Sequence, residues 1–234
     1  MREHPYWKND KLGADSEFYN GKAYIYEIFS QAEDKPKKIT HYFEQIVKNK
    51  VVLDLGCGTG KFIPDFAPLA KKYIAIDISK NQLEIARKKS ENFTNVELIK
   101  SSAHKIPVES NSIDIVIANW FIGSIHNIPL RDKIIKEIKR IIRISGSIYF
   151  TENDVGGKYK DIIENSYGKE KTKIKLKWLE DVGFKKVASI KTYFEFESLQ
   201  SARETLRNIW VDKIASNVNR RKISHNIVIY KYGK

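Results

Sequence analysis

Short aliphatic runs recur along the chain with room for one helix between successive runs, and that rhythm predicts an alternating α/β sheet. Val51–Leu55, Lys72–Asp77, Val96–Ile99, Ile113–Ala118 and Ser147–Thr151 are brief and rich in Val, Ile and Leu, as strands covered on both faces are. Between them the apolar period lengthens to three and four: Leu83 and Ala86 within 80–89, and Ile134, Ile135, Ile138 and Ile141 within 130–142, where Lys133, Lys136 and Lys139 take the opposite face. Ser79 stands where a helix N-cap belongs, and Gly146, after Ile144 and Ser145, where a helix stop belongs. Val187–Phe196 and His225–Tyr230 bring the strands to seven. A helix from Leu199 to about Val218 (stripe Leu199, Ala202, Leu206, Ile209, Trp210, Ile214) is predicted between those two. Residues 153–168, with Gly156 and Gly157, read as an irregular loop. Thr172 reads as the N-cap of a helix through Leu176, Leu179 and Val182 that stops at Gly183. Ahead of the first strand, Tyr6, Trp7, Phe18, Tyr19, Tyr24, Tyr26 and Phe29 make an aromatic segment. Pro36 then opens a helix striped with Ile39, Tyr42, Phe43, Ile46 and Val47. The expectation is one doubly wound α/β domain: an N-terminal helical cap over 1–50, a first half over 51–152, and a second half over 153–234 with its helical insertion at 199–218.

Candidate chemistry concentrates where the first strand ends, in Asp54-Leu55-Gly56-Cys57-Gly58-Thr59-Gly60-Lys61-Phe62. Glycines at 56, 58 and 60 permit a sharp turn at positive φ and close approach of backbone to a ligand. Helical spacing resumes at once with Phe62, Phe66 and Leu69, so the unit is strand, glycine turn, helix, with backbone N–H groups converging at a helix start. Ligand classes separate by spacing. A phosphate-binding P-loop needs G-x-x-x-x-G-K-[ST], but Lys61 is followed by Phe62, and Leu55 stands five before Gly60. A dinucleotide fingerprint needs G-x-G-x-x-G, and its third glycine would fall on Lys61. Asp54, two residues before Gly56, suits a cationic ligand better than a pyrophosphate, because like charges repel in a partly desolvated site.

Asp54-x-Gly56-x-Gly58-x-Gly60 resembles the first motif of the class I S-adenosylmethionine-dependent methyltransferases. The resemblance spans most of residues 37–232 and implies a seven-stranded, mostly parallel sheet whose last strand is antiparallel. It implies S-adenosylmethionine as cofactor and S-adenosylhomocysteine as product. Asp54, Gly56, Cys57, Gly58 and Gly60 would lie along the methionine moiety. Asp77, at the end of the second strand and 17 residues after Gly60, would hold the ribose diol, since a carboxylate only accepts, and Ile78 would face the adenine. Relatives often carry an acid after the third strand; Ser102 and Ala103 stand there, a hydroxyl acceptor without charge assistance. Asn119 follows the fourth strand without the two prolines of amino-group DNA methyltransferases. Only one glycine of the usual Lys-Pro-Gly-Gly turn before the fifth strand is kept, Gly146.

The cofactor of such enzymes carries the activated group, so a general base is needed only for an acceptor protonated at working pH. His126, in the loop after Trp120 and Phe121, is the histidine best placed for that role. His41 and the early tyrosines are further candidates, the tyrosines as parts of a lid. The single cysteine, Cys57, excludes an internal disulfide and a multi-cysteine zinc site, and no metal is expected. No apolar run nears the roughly 18 residues of a membrane span, and Met1–Asp10 lacks a signal-peptide core, so a cytoplasmic protein without membrane contact is expected. Of the net charge of +13, an excess of nine lies in residues 158–234. That basic third could meet polyanions, but lysine-rich solvated surface explains it too. A small-molecule methyl acceptor is therefore the leading expectation. A tRNA or rRNA acceptor is the alternative, and a non-catalytic S-adenosylmethionine-binding protein the third reading.

Overall fold

Seven strands form one sheet: β1 (Val51–Leu55), β2 (Lys72–Asp77), β3 (Val96–Lys100), β4 (Ile113–Asn119), β5 (Ile142–Asn153), β6 (Lys185–Glu195) and β7 (Lys222–Gly233). Their order is β3-β2-β1-β4-β5-β7-β6. Every neighbouring pair is parallel except the two made by β7, which runs antiparallel to β5 and to β6. The computed structural model describes residues 16–233 apart from 126, 164–165 and 211–214. The helices are α1 (Ser16–Gly21), α2 (Ala23–Ala32), α3 (Lys38–Val47), α4 (Ile63–Phe66), α5 (Lys80–Ser90), α6 (Ile128–Ile141), α7 (Lys158–Ile163), α8 (Ser166–Asp181) and α9 (Leu199–Ile209).

Strand alternation divides the core into two layers. Leu53, Leu55, Val116, Ala118, Ile148 and Phe150 pack with α6 and α8 on one face. Val52, Ile115, Ile117, Tyr149, Ile227 and Ile229 pack with α3, α4 and α5 on the other. A third cluster joins Phe29 and Ala32 of α2 to Phe194, Phe196, Ile223, Leu206 and Ile209, which seats the N-terminal cap over the ends of β6 and β7. Ser79 caps α5 as expected, its Oγ accepting from Gln82 N at 3.3 Å. Among the described residues no helix is long and apolar enough to cross a membrane.

Several boundaries depart from the sequence expectation. Gly146 is not a helix stop: α6 ends at Ile141 and the chain enters β5 directly. Gly146 lies inside that strand beside a register shift, where a Cβ would come within 2.8 Å of Asp114 O, so the glycine serves close strand approach. The helix after the glycine turn is a single turn, Ile63–Phe66. The stretch 153–168 contains α7, because Tyr159 is buried against Phe194 and His225, with ring centroids 4.5 and 5.0 Å away. Thr172 is interior to α8 rather than its cap; its hydroxyl accepts from the buried Lys160 Nζ at 2.9 Å. The insertion helix ends at Ile209, not near 218. Trp210 leaves the helix and donates its indole N–H to Tyr159 Oη at 3.2 Å, while Ile214 lies outside the described residues.

Ionisable groups buried under the cap make stability pH-dependent. Burial pushes Glu33 up to about 8, against the opposing pull of the neighbouring Lys61 charge, and burial pushes Asp54 up to about 7. A carboxyl whose folded pKa exceeds its unfolded value holds an extra proton when folded, so its contribution to stability falls as pH rises through that window. His225, lowered by burial to about 3 from 6.5, acts oppositely and adds stability as pH rises between those values. Above about pH 6.5 His225 adds nothing further. Glu33→Gln is expected to flatten the fall in melting temperature between about pH 6.5 and 8. An unchanged slope would show that Glu33 is ionised without penalty.

Candidate active site

The carboxyl ends of β1 and β4 flank the point where the strand order reverses, the place where open α/β sheets bind ligands. Gly56, Gly58 and Gly60 have φ of +72°, +56° and +73°, a region that only glycine enters freely. The N–H groups of the turn do not converge on a ligand as expected. Gly56 N and Cys57 N both donate to Ile76 O, at 2.8 and 3.0 Å, and Gly60 N to Cys57 O at 2.9 Å. Gly58 N donates to Asp77 Oδ2 at 2.9 Å. These donors tie the turn to the end of β2, so those four N–H groups form no phosphate cradle.

Asp77 is the hinge of the arrangement. Its Oδ1 accepts from Ser79 N at 2.8 Å while Oδ2 holds Gly58, and each oxygen keeps a lone pair for a ligand. Burial raises its pKa, with the Ser79 and Gly58 N–H bonds pulling the other way. Asp77 lines a cavity together with Gly56, Gly58, Ile78, Ser102, Ala103 and Asn119, so seven of the ten expected cofactor residues come together there. Both amide atoms of Asn119 are buried without a hydrogen-bond partner among the described residues, as is Trp120 Nε1. Trp120 itself sits at φ +50°, a strained conformation of the kind concentrated at functional sites. The Ser102 hydroxyl is engaged with His104 Nδ1 at 2.6 Å, and a hydroxyl oxygen so engaged still has acceptor capacity.

Three expected residues stand back from the cavity. Alternation along β1 aims Leu55 at it and Asp54 away; Asp54 is 2% exposed and accepts from Tyr73 Oη at 2.7 Å. Asp54 is therefore not among the residues that line the cavity, and its bond to Tyr73 ties β2 to β1. Cys57 is buried among the residues of the α3–α5 layer, its thiol pushed up by burial. Gly60 serves packing: a Cβ would lie 2.9 Å from Ala86 Cβ and 3.1 Å from its Cα. His126 lies outside the described residues, as does Tyr6. His41 is exposed on α3 and lines a different recess with Lys191. Tyr19 and Tyr26 do reach the cavity, ring edge to face at 5.2 Å, whereas Tyr24 is exposed.

Sequence reasoning missed Phe121, Gln82 and Lys61. The Phe121 ring lies over Gly56, its Cδ2 2.4 Å from where a Cβ would be. Gln82 lines the cavity from α5. Lys61 Nζ donates to Ser30 O and Glu33 O at 2.6 and 2.5 Å and lies 5.3 Å from the Trp120 ring centre, joining the end of α2 to the turn. Its place directly after the third glycine was the available signal.

A family profile described as a methyltransferase domain matches residues 46–208, well over half of the chain. The chain belongs to that family. It is a class I methyltransferase domain, the class whose cofactor is S-adenosylmethionine. A demethylmenaquinone methyltransferase of Bacillus licheniformis is 30% identical over 110 residues, which is 46% of each chain. A sterol 4-C-methyltransferase of Caenorhabditis elegans is 30% identical over 105 residues, 44% of this chain and 30% of that one. The matched stretch is thus under half the length of these curated relatives. An N-methyltransferase of Bradyrhizobium japonicum, solved with S-adenosylhomocysteine, superposes with a TM-score of 0.56 at 10% identity over 87% of this chain and 88% of that one, so the two share the fold. The side chains at the cavity fit the cofactor of the class: an anchored carboxylate, an unpaired amide, an apolar Ile78 and a glycine without Cβ meet in one place.

Proposed function

We propose that this methyltransferase moves a methyl group from S-adenosylmethionine to a nucleophile on a small molecule. The bound cofactor supplies an activated methyl group on a sulfonium, and the chain's own task is to hold, orient and exclude water. Asp77 carries the reading. With its carboxylate fixed by two backbone N–H groups at the cavity wall, it is ready to accept from the ribose diol. Ile78, Ala103 and Ser102 would receive the adenine, Gly56 and Gly58 the chain of the amino acid, and Asn119 its polar end. The cavity holds about 80 Å³, against roughly 300–1,000 Å³ for pockets of drug-sized ligands. Admission of the cofactor therefore requires Phe121 or the Tyr19–Tyr26 pair to swing aside. In this reading residues 1–50 cap the cofactor, 51–152 hold it and 153–234 build the acceptor side.

A small acceptor is favoured by the names of the relatives, a quinone and a sterol methyltransferase. It is favoured also by the basic C-terminal third, where Lys173, Lys175 and Lys177 pair with Glu170, Glu152 and Asp181 and Lys222 lies over the Tyr193 ring. Calorimetry with S-adenosylhomocysteine, NAD and ATP, followed by labelled-methyl transfer onto small-molecule extract, total RNA and protein, tests both parts. Binding of S-adenosylhomocysteine alone, and label in the small-molecule fraction, are expected. RNA should bind no tighter than the ~10⁻⁴–10⁻⁶ M of non-specific contact at physiological salt. Preference for NAD would sink the cofactor assignment, and label in RNA would replace the acceptor class.

A further inference from the structure

The chain leaves β4 through Trp120 and makes one 3₁₀ turn, Ile122–Ser124, before α6. Phe121, Ser124 and Ile125 of this segment line the cavity, and the Phe121 ring is the part that lies over Gly56. So short a turn satisfies few of its own backbone groups. Ser124 N and Ile125 N donate back to Phe121 O and Ile122 O, both at 3.2 Å. Two further groups are taken by charged side chains of other elements. Gly123 N donates to Glu152 Oε1 of β5 at 3.1 Å, and Ile125 O accepts from Arg131 Nε of α6 at 2.5 Å. Helix α8 stands behind both grips. Its Lys175 Nζ donates to Glu152 Oε2 at 2.9 Å, and its Trp178 ring centre lies 5.3 Å from the Arg131 guanidinium carbon. The Glu152 side chain is 1% exposed and that of Lys175 13%. The fit at the turn is close: a Cβ on Gly123 would stand 2.8 Å from both Glu152 Oε2 and Lys175 Nζ.

A buried ion pair is a weak source of stability, because desolvation consumes most of the Coulombic gain, and its best-attested use is to fix one arrangement against others. We propose that Glu152 is a positioning residue for cofactor exchange: backed by Lys175, it pins Gly123 so that Phe121 closes over Gly56, and loosening the pair frees the ring to open the cavity. The inference rests on the reading of this cavity as the cofactor site. Neither Glu152 nor Lys175 is among the residues that line the cavity, so both act through the turn and not on the ligand. Lys175 belongs to the half of the chain read above as the acceptor side. The pair therefore ties that half to the entrance of the cofactor.

The test is stopped-flow measurement of S-adenosylhomocysteine association and dissociation. The proteins are the wild type, Glu152→Gln, Lys175→Met, Phe121→Ala and the double variant Glu152→Gln/Phe121→Ala. Glutamine keeps the shape of Glu152 and can still accept from Gly123 N, but it gives up the charge that holds Lys175. Lys175→Met removes the ammonium and leaves Glu152 in place, so the two variants loosen one contact from opposite sides. Each should raise both rate constants about 3- to 10-fold, the effect of weakening one hydrogen-bonded contact, while Kd moves by less. Phe121→Ala should raise the association rate at least as much. Adding Glu152→Gln to it should raise that rate no further, because the pair and the ring act on one step. An ion pair that serves the fold alone would lower the melting temperature and leave association as in the wild type. Unchanged association in folded Glu152→Gln and Lys175→Met overturns the proposal. So does a rise in dissociation alone, or an undiminished effect of Glu152→Gln in the Phe121→Ala protein. If the wild type does not bind S-adenosylhomocysteine at all, the cofactor reading falls and this inference with it. If it binds and the pair is indifferent, only this inference falls.

Discussion

Asp77→Ala is expected to weaken S-adenosylhomocysteine binding by roughly 10- to 150-fold, the effect of losing charge-assisted hydrogen bonds worth about 1.5–3 kcal/mol. The carboxylate also joins three segments, because it holds Gly58 of the turn and Ser79 at the start of α5. Removing it leaves both N–H groups to water or to each other's neighbours, so a modest loss of stability, about 1–2 kcal/mol, should accompany the binding defect. Asp77→Asn separates the two effects. Its side-chain oxygen can still accept from Gly58 or Ser79, while the charge that favours the diol is gone. The asparagine variant should therefore melt closer to wild type than the alanine variant yet bind clearly more weakly than wild type. If the folded alanine variant binds S-adenosylhomocysteine with wild-type affinity, the ribose is held elsewhere and the site has been placed wrongly.

What could be read from the sequence was whatever rests on local pattern. Buried aliphatic runs located all seven strands, glycines at 56, 58 and 60 located the turn, and Asp77 followed from its place at the end of β2. Each of these is determined by a few adjacent residues, since strand burial, positive φ and a strand-end carboxylate need no distant partner to be recognised. Contacts between distant segments could not be read. Asp54 was expected at the ligand because only its neighbours were visible; the Tyr73 hydroxyl that claims it lies on another strand. Gly146 looked like a helix stop because a glycine after an apolar stripe commonly is one, and nothing local announces that β5 begins at Ile142 and passes within contact of Asp114. Thr172 has the chemistry of a cap, but the buried Lys160 ammonium uses its hydroxyl. Gln82 is the most instructive case. Its capping-box pattern is visible, but the failure of that box depends on Asp77 taking the Ser79 N–H. Through that competition the Gln82 carboxamide oxygen is left without a hydrogen-bond partner among the described residues.

The glycines of the turn divide by what surrounds them, and substitution should separate their roles. Gly60 faces the backbone of α5: a Cβ there would lie 2.7 Å from Ile63 Cδ1, 2.9 Å from Ala86 Cβ and 3.1 Å from Ala86 Cα, at φ +73°. A helix backbone cannot step back without disturbing the whole α3–α5 layer. Gly60→Ala thus combines left-handed strain of roughly 1–2 kcal/mol with overpacking of about 1–3 kcal/mol. A loss of about 2–5 kcal/mol is a large share of the stability of a domain, which is typically about 5–15 kcal/mol. Gly56 meets something softer. Its Cβ would strike the Phe121 ring, with Cδ2 at 2.4 Å, at φ +72°, and a half-buried ring can turn away. Gly56→Ala should therefore lose little beyond the left-handed strain in stability. The ring, however, can only move at the cavity that the nucleoside must enter, and the new methyl group occupies the wall beside it. A steric penalty of about 1–3 kcal/mol felt on binding corresponds to roughly a 5- to 150-fold loss of affinity. The expected pattern is a crossed one: Gly60→Ala melts well below Gly56→Ala, with binding near normal in whatever fraction stays folded, and Gly56→Ala gives up only the left-handed strain in stability but binds S-adenosylhomocysteine poorly. Thermal melts and calorimetry on the two variants decide it. If both lose stability equally and the Gly56 variant binds normally, then the turn serves the fold alone and Gly56 does not adjoin the ligand.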